Sequence, residues 1–383
     1  MQRHDGTDSS DTMVPITVLR MVPIQRYRQF KIREGIENAG FKVIWIPYKI
    51  NRLKLLLLKL FIKIFYGQNA ITTQNQFYYK LCAQSIDINK IKECDYLFFP
   101  GRAQINAFLK IRKPIIYYTD ATFKQMINYY WFNQSQWILK QGNLLEEKAI
   151  KNSYINIRSS KWAADSVLKD YGGNPKRNFI LEFGANIDDK DIVPCKPYKN
   201  TEILNILFSG VDWERKGGEI AVKTVQLLNQ KGIKSNLFIT GISNLPSQYK
   251  NLPYIKNLGF FNKNNPEEYQ FYIKIISNSH ILLLPTKAEC AGIIFSEASA
   301  YGLPIFTYNT GGIGNYVIDG INGYKLPLHS NEIDFTNTII TCIKHNELEK
   351  LHYGGINLYH STLNWKTWAN RFKEIMAISE LKE

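Results

Sequence analysis

Between residues 16 and 200 short apolar runs alternate with longer stretches of helical period, the rhythm of βαβ units wound about a parallel sheet. Residues 16–21 predict the first strand, 29–39 a helix stopped by Gly40, and 42–46 a second strand. Further strands are expected at 96–99, 115–118, 154–158 and 180–182, with a helix near 160–171. Residues 187–201 lose the period and carry Pro194 and Pro197, which places a linker at 194–201. A second alternation follows: strands at 203–208, 235–239, 281–284 and 305–307, helices at 218–231 and 293–301, and a last apolar run at 324–326. Residues 365–379 close the chain as an amphipathic helix with Trp365, Trp368, Phe372 and Ile375 on one face. No repeat of 20–50 residues is visible. The expected organisation is a flexible tail at 1–13, an N-terminal Rossmann-like domain at 14–193, the linker, a C-terminal Rossmann-like domain at 202–364 and a terminal helix at 365–383.

Composition agrees with two packed cores, since 383 residues with 45% hydrophobic and 13% aromatic side chains are too long for one domain and too apolar for disorder. The formal charge of +15 predicts affinity for something anionic without choosing among nucleic acid, acidic lipid and phosphorylated small molecules. Cys82, Cys94, Cys195, Cys290 and Cys342 are scattered without metal-ligand spacing, which points to a reducing, cytoplasmic setting. Nothing near the N-terminus reads as a secretory signal. The apolar run 53–65 is interrupted by Lys54, Lys59 and Lys63 and is shorter than the roughly 20 residues a membrane span needs.

Chemistry concentrates in two strand-end turns of the second half. Residues 282–304, LLLPTKAECAGIIFSEASAYGLP, run from a buried strand through a loop bearing Glu289 into a helix that begins near Gly292. Backbone N–H groups of Ala291, Gly292 and Ile293 then face an anion, and the helix dipole favours a pyrophosphate there. Glu297, on the first turns of that helix, suits vicinal ribose hydroxyls, whereas Glu289 in the loop suits hydroxyls of a sugar. A solvated helix carboxylate and a plain loop carboxylate are the competing readings. The second turn, residues 208–218, FSGVDWERKGG, offers Arg215 and Lys216 as diphosphate partners, with Gly210, Gly217 and Gly218 leaving room for them.

With these residues the segment 208–323 resembles the retaining glycosyltransferases of family 4, the glycosyl transferases group 1. The resemblance rests on the E-x7-E pair Glu289 and Glu297, on Gly302-Leu303-Pro304, on Thr310-Gly311-Gly312-Ile313 and on Asp319-Gly320-Ile321-Asn322-Gly323. Upstream, Ser159-Ser160-Lys161-Trp162-Ala163-Ala164 and Phe183-Gly184-Ala185-Asn186-Ile187-Asp188 look like the end of the family's N-terminal domain. The resemblance implies an α/β GT-B fold of two facing Rossmann-like domains, with the nucleotide-sugar donor in the C-terminal one and a saccharide or lipid-linked acceptor against the N-terminal one. It also implies a last helix crossing back to the N-terminal domain, and retention of anomeric configuration. Lys216 takes the diphosphate-clamping role with Arg215 as helper, and neither metal nor other cofactor is expected, in keeping with the lack of a clear Asp-x-Asp motif.

The chain departs from the pattern in three places. Gly210, Val211 and Asp212 stand where relatives carry an Arg before the Lys, and Asn315 stands where a Glu often follows the GG turn. The N-terminal half holds no histidine beyond His4, so Asp120 is the candidate neighbour of the reacting carbon, with a structural capping Asp as the equal alternative. The expected activity is sugar transfer to a hydroxyl acceptor in bacterial cell-surface polysaccharide or glycolipid synthesis. An epimerase of similar fold, or a non-enzymatic binder of nucleic acid or an anionic surface, is the alternative, although the dispersed basic residues form no nucleic-acid motif. Residues 51–66, NRLKLLLLKLFIKIFY, read either as a core helix with snorkelling lysines or as a helix lying on an anionic membrane, the inner face of the plasma membrane.

Overall fold

The computed structural model describes residues 15–20, 26–47, 50–66, 75–101, 104–200 and 202–380. The tail expected at 1–13, Met21 at the end of the first expected strand and Thr201 at the end of the linker lie outside these residues. Six parallel strands form a first sheet: β1 (Pro15–Arg20), β2 (Lys42–Pro47), β3 (Tyr96–Pro100), β4 (Ile115–Thr119), β5 (Ile155–Arg158) and β6 (Asn178–Ile180), in the order β2-β1-β3-β4-β5-β6. A second parallel sheet is built from β7 (Leu204–Ser209), β8 (Ser235–Thr240), β9 (Ile255–Asn257), β10 (Ile281–Leu284), β11 (Ile305–Tyr308) and β12 (Gly323–Leu326), in the order β12-β11-β10-β7-β8-β9. The central strands β3, β4, β10 and β11 are buried along their whole length, as YLFFP, IIYYT, ILLL and IFTY require when helices cover both faces.

Each sheet reverses its strand order once, between β1 and β3 in the first and between β7 and β10 in the second. Loops leaving the carboxyl ends of strands on either side of such a reversal diverge and open a crevice, so the turns after β7 and β10 are where this topology places a ligand. These are the two turns that carry Arg215, Lys216 and Glu289.

The strands follow the expected ranges with small offsets, the largest at β6, which overlaps the expected 180–182 at Ile180 alone. The helices Gln76–Gln84, Gln136–Asn152 and Pro266–Ser277 and strand β9 escaped the pattern. Helix Gln136–Asn152 buries Gln141 and Glu146 among its apolar residues, which blurs a hydrophobic period, and β9 has three residues of which one is buried.

Between the sheets, residues 188–195 already lean on the second half: the Tyr269 hydroxyl donates to Asp191 (3.1 Å), that of Tyr359 to Asp189 (2.9 Å), and Cys195 N–H donates to Tyr301 O (2.9 Å). The final helix, Trp365–Glu380, returns to the first sheet. Trp368 is fully buried, stacks on Phe372 and donates its indole N–H to Tyr118 Oη at 3.0 Å, while Phe372 meets Phe41 and Phe98 edge-on.

Helix Arg52–Tyr66 is not a core helix. Leu58 and Ile62 are its buried residues, and Leu53, Leu56, Leu57, Leu60, Ile64 and Phe65 are 55–67% exposed, interleaved with exposed Arg52, Lys54, Lys59 and Lys63. Among the described residues no helix is long and apolar enough to cross a membrane. All five cysteines are buried and none is in a disulfide.

Candidate active site

After β7 the chain turns through Gly210 and closes on itself, with Lys216 N–H donating to Asp212 O (3.0 Å) and Arg215 N–H to the Asp212 carboxylate (3.1 Å). Gly217 then caps helix Gly218–Gln230 with φ at 74°, in the left-handed region, where a Cβ would meet Pro285 O at 2.1 Å. No other residue fits there without strain. The turn is thus pressed against the end of β10, which brings Lys216 beside the loop that carries Glu289.

On that loop, Gly292 has φ at 75° and caps helix Ile293–Ala300, so that Gly292, Ile293 and Ile294 at the start of this helix line the cleft. The Lys216 ammonium donates to Glu289 Oε2, and Arg215 Nη1 lies 3.9 Å from the same oxygen. Arg215 also donates from Nη1 to Ala288 O at 3.0 Å, so its guanidinium is held in place by main chain. Lys216 is buried despite its charge, a placement that demands an anionic partner.

These groups open on a cavity of about 630 Å³ between the two sheets. Asp120 enters it from the end of β4; Gly210, Arg215, Lys216, Glu289, Ala291, Gly292 and Ile293 enter it from the second half. The start of the next helix, Phe123–Met126, has Thr122 at its N-cap, with Thr122 N–H donating to Gln125 Oε1 at 3.1 Å. Gly217 shapes the cavity without lining it, and Glu297 lies apart from it: its two carboxylate oxygens accept from Lys263 Nζ (2.6 Å) and Tyr272 Oη (2.7 Å), and it is 3% exposed. Burial and the Glu297 charge push the Tyr272 phenol well up, so it remains a donor.

Lys263 and Tyr272 carry no signal in the sequence pattern, and neither does a polar group on the floor of the first half. There Gln104 Nε2 and Tyr117 Oη both donate to Glu146, and Arg158, wholly buried, lies over the Tyr117 ring. Burial drives Glu146 up and Arg158 down from their ordinary values. Tyr129 and Tyr130, which cross from the first half to the Glu289 loop, carry no such signal either. Asn315, at the place where relatives often have Glu, joins the halves by donating to Glu182 Oε1 (2.7 Å) and accepting from Lys161 N–H (2.8 Å).

Residues 190–354 match the family described as glycosyl transferases group 1. That segment belongs to the group 1 glycosyl transferases. A stretch of 144 residues is 26% identical to an uncharacterized glycosyltransferase of Methanocaldococcus jannaschii, covering 38% of this chain and 39% of that protein. Another of 99 residues is 31% identical to the lipopolysaccharide 1,2-N-acetylglucosaminetransferase of Salmonella typhimurium, covering 25% and 26% of the two chains. These matches thus span well under half the length of either curated relative. The whole fold is similar to that of the Anabaena HepE protein in complex with UDP, with a TM-score of 0.65, 14% identity, and coverage of 95% of this chain and all of that one. The architecture is therefore GT-B, and the group 1 segment holds the second sheet, both strand-end turns and the E-x7-E pair.

Proposed function

We propose that this protein is a retaining, metal-independent glycosyltransferase of family 4 that moves a sugar from a nucleoside diphosphate to a hydroxyl acceptor. The observation that carries this reading is the convergence of Lys216, Arg215, Glu289 and the N-terminus of helix Ile293–Ala300 on one interdomain cavity, at the strand-order reversal of the second sheet. Two cations and a helix N-terminus suit the negative charge that grows on a departing diphosphate, and preorganised electrostatics of this kind is commonly the largest single contribution to catalysis. Lys216 and Arg215 take the place a divalent ion would hold against the diphosphate.

In this mechanism the bond from the anomeric carbon to the phosphate oxygen breaks as the acceptor oxygen approaches the same face of the sugar. The acceptor proton leaves with the diphosphate. Glu289 holds hydroxyls of the transferred sugar, and Lys216 exchanges that carboxylate for phosphate when donor enters. Glu297 reaches ribose hydroxyls by exchanging Lys263 or Tyr272 for them. Asp120, on the acceptor side of the cavity, is the candidate for the neighbourhood of the reacting carbon.

HepE was solved with UDP, which makes UDP the first ligand to try. The Salmonella relative is by its name a lipopolysaccharide N-acetylglucosaminetransferase, which favours a saccharide or lipid-linked acceptor here. The exposed apolar and basic helix Arg52–Tyr66 favours such an acceptor at an anionic membrane face, met from the cytoplasm.

The test is a thermal-shift panel of UDP, GDP, ADP and their sugars without added metal and with a chelator, followed by transfer assays with and without saccharide acceptors. At least one nucleotide is expected to raise the melting temperature, and Lys216→Ala to abolish that rise at an unchanged circular dichroism spectrum. Consumption of donor only when acceptor is present supports transfer. Isomerisation of donor alone would instead establish the epimerase reading, and no nucleotide shift at all would remove the donor site.

A further inference from the structure

Two adjacent tyrosines of the first half hold the donor-side loop from across the cleft. They sit in a turn at 128–131 that is closed on itself: Tyr130 and Trp131 N–H both donate to Met126 O (3.0 and 2.9 Å), and Asn128 N–H donates to Trp131 O (2.9 Å). Asn128 adopts φ of 54°, which Asn tolerates better than most side chains. The Phe123 ring packs on Trp131, and the Tyr129 ring on Trp162, so the turn is fixed to its own domain by aromatic contacts. From this base the Tyr129 hydroxyl accepts from Glu289 N–H at 2.8 Å, donates toward Glu289 O at 3.2 Å and lies 2.9 Å from Thr310 Oγ1. Tyr130 donates to Ala288 O at 3.1 Å, and its ring lies under the Arg215 guanidinium, 5.1 Å from the centroid.

A single hydroxyl bonded to both the N–H and the C=O of Glu289 fixes the peptide planes on either side of that residue, and with them the direction in which its carboxylate leaves the backbone. The neighbouring phenol does the corresponding service for Arg215, through a ring face and through the carbonyl that Arg215 also uses. Both phenols are half-buried or more and are raised by that burial, so they keep their protons and their donor role. We propose that Tyr129 and Tyr130 are positioning residues, through which the acceptor domain aims Glu289 and Arg215 at the donor only when the two domains stand as they do in this structure.

The catalytic consequence rests on the glycosyltransferase reading, whereas the tether itself does not, and the test separates them. Tyr129→Phe removes only the hydroxyl. Hydrogen exchange on the full chain without substrate is expected to speed up at the peptide covering 286–291 and to stay unchanged in the sheets. In the transfer assay kcat is expected to fall about tenfold to hundredfold, the range expected for misplacement of a reacting group, with donor KM and nucleotide affinity held within about twofold. Tyr129→Phe added to Glu289→Gln should cost little beyond Glu289→Gln alone, because the hydroxyl acts through that carboxylate. Tyr130→Phe, which keeps the ring under Arg215, should fall between the parent and Tyr130→Leu. Unchanged exchange at 286–291 would overturn the tether whatever the activity. Faster exchange with an unchanged kcat, or losses that multiply fully in the double variant, would overturn the positioning role.

Discussion

Glu289 and Glu297 carry the same functional group in one motif, yet their surroundings give them opposite demands. Glu289 borders the cavity and shares its charge with Lys216 and Arg215, all three lining that cavity. Glu297 is sealed beneath Lys263 and Tyr272. Removing one partner of a buried ion pair leaves an uncompensated charge, and for wholly buried pairs this costs about 3–5 kcal/mol. Lys263 is a quarter exposed, so Lys263→Met should cost less than that and still lower the melting temperature measurably. Lys263→Met with Glu297→Gln removes the stranded charge and should recover most of the loss while donor affinity stays low. A double variant no more stable than Lys263→Met would show that Lys263 supports the fold by packing and not by pairing. The motif spacing made both glutamates legible from sequence. Their partners were not, because Lys263 lies 34 residues before Glu297 in a polar loop, and Tyr129 lies 160 residues before Glu289. No local period records contacts of that kind.

At the scale of elements, legibility followed burial. Strands buried on both faces, such as β3, β4, β10 and β11, appear in the sequence as uninterrupted apolar runs, and the glycines at 217 and 292 mark the turns that follow their neighbours. Helix Gln136–Asn152 was not legible because its buried side carries Gln141 and Glu146, the latter lining the first-half side of the cavity. Helix Arg52–Tyr66 was legible as a helix but not as an exposed one, since apolar residues around its whole circumference fit a core equally well. Its exposure counts against the core reading. Eight exposed large apolar side chains and four exposed cations on one short helix fit the interface of an anionic bilayer, where each cation contributes about 1 kcal/mol. Co-sedimentation with vesicles containing anionic lipid is expected at low salt and should weaken with salt and in the Lys54→Glu, Lys59→Glu, Lys63→Glu variant. Leu56→Ser with Leu60→Ser should weaken it without changing the salt dependence. Equal sedimentation of all three proteins would exclude this helix as the membrane-contacting element.

The whole molecule is held together by more than its linker. One continuous apolar cluster runs from Ile36 and Phe98 in the first half through Leu181, Phe183 and Trp368 to Phe208, Leu283 and Phe306 in the second. The polar ties run parallel to it: Arg371 of the final helix pairs with Glu182, Glu182 accepts from Asn315, and Asn315 accepts from Lys161 N–H. The final helix is joined covalently to the second half and packs on the first, so Trp368 sits on the seam between two units that would otherwise each carry a core. This geometry predicts one cooperative unfolding transition for the parent protein. Trp368→Ala removes a fully buried indole, its stacking on Phe372 and its N–H bond to Tyr118, and such truncations cost about 3–5 kcal/mol. The loss falls on the first sheet and on the seam, while β7 to β12 keep their own packing. Calorimetry of Trp368→Ala is therefore expected to show two transitions, the later one near the parent's melting temperature and still shifted upward by any nucleotide that binds the donor site. Trp368→Phe, which keeps the stacking and loses only the indole N–H and part of the volume, should retain a single transition at slightly lower temperature. A single transition in the alanine variant, moved down as a whole, would mean that the ties through Glu182, Asn315 and Tyr129 are sufficient by themselves to make the two domains unfold as one.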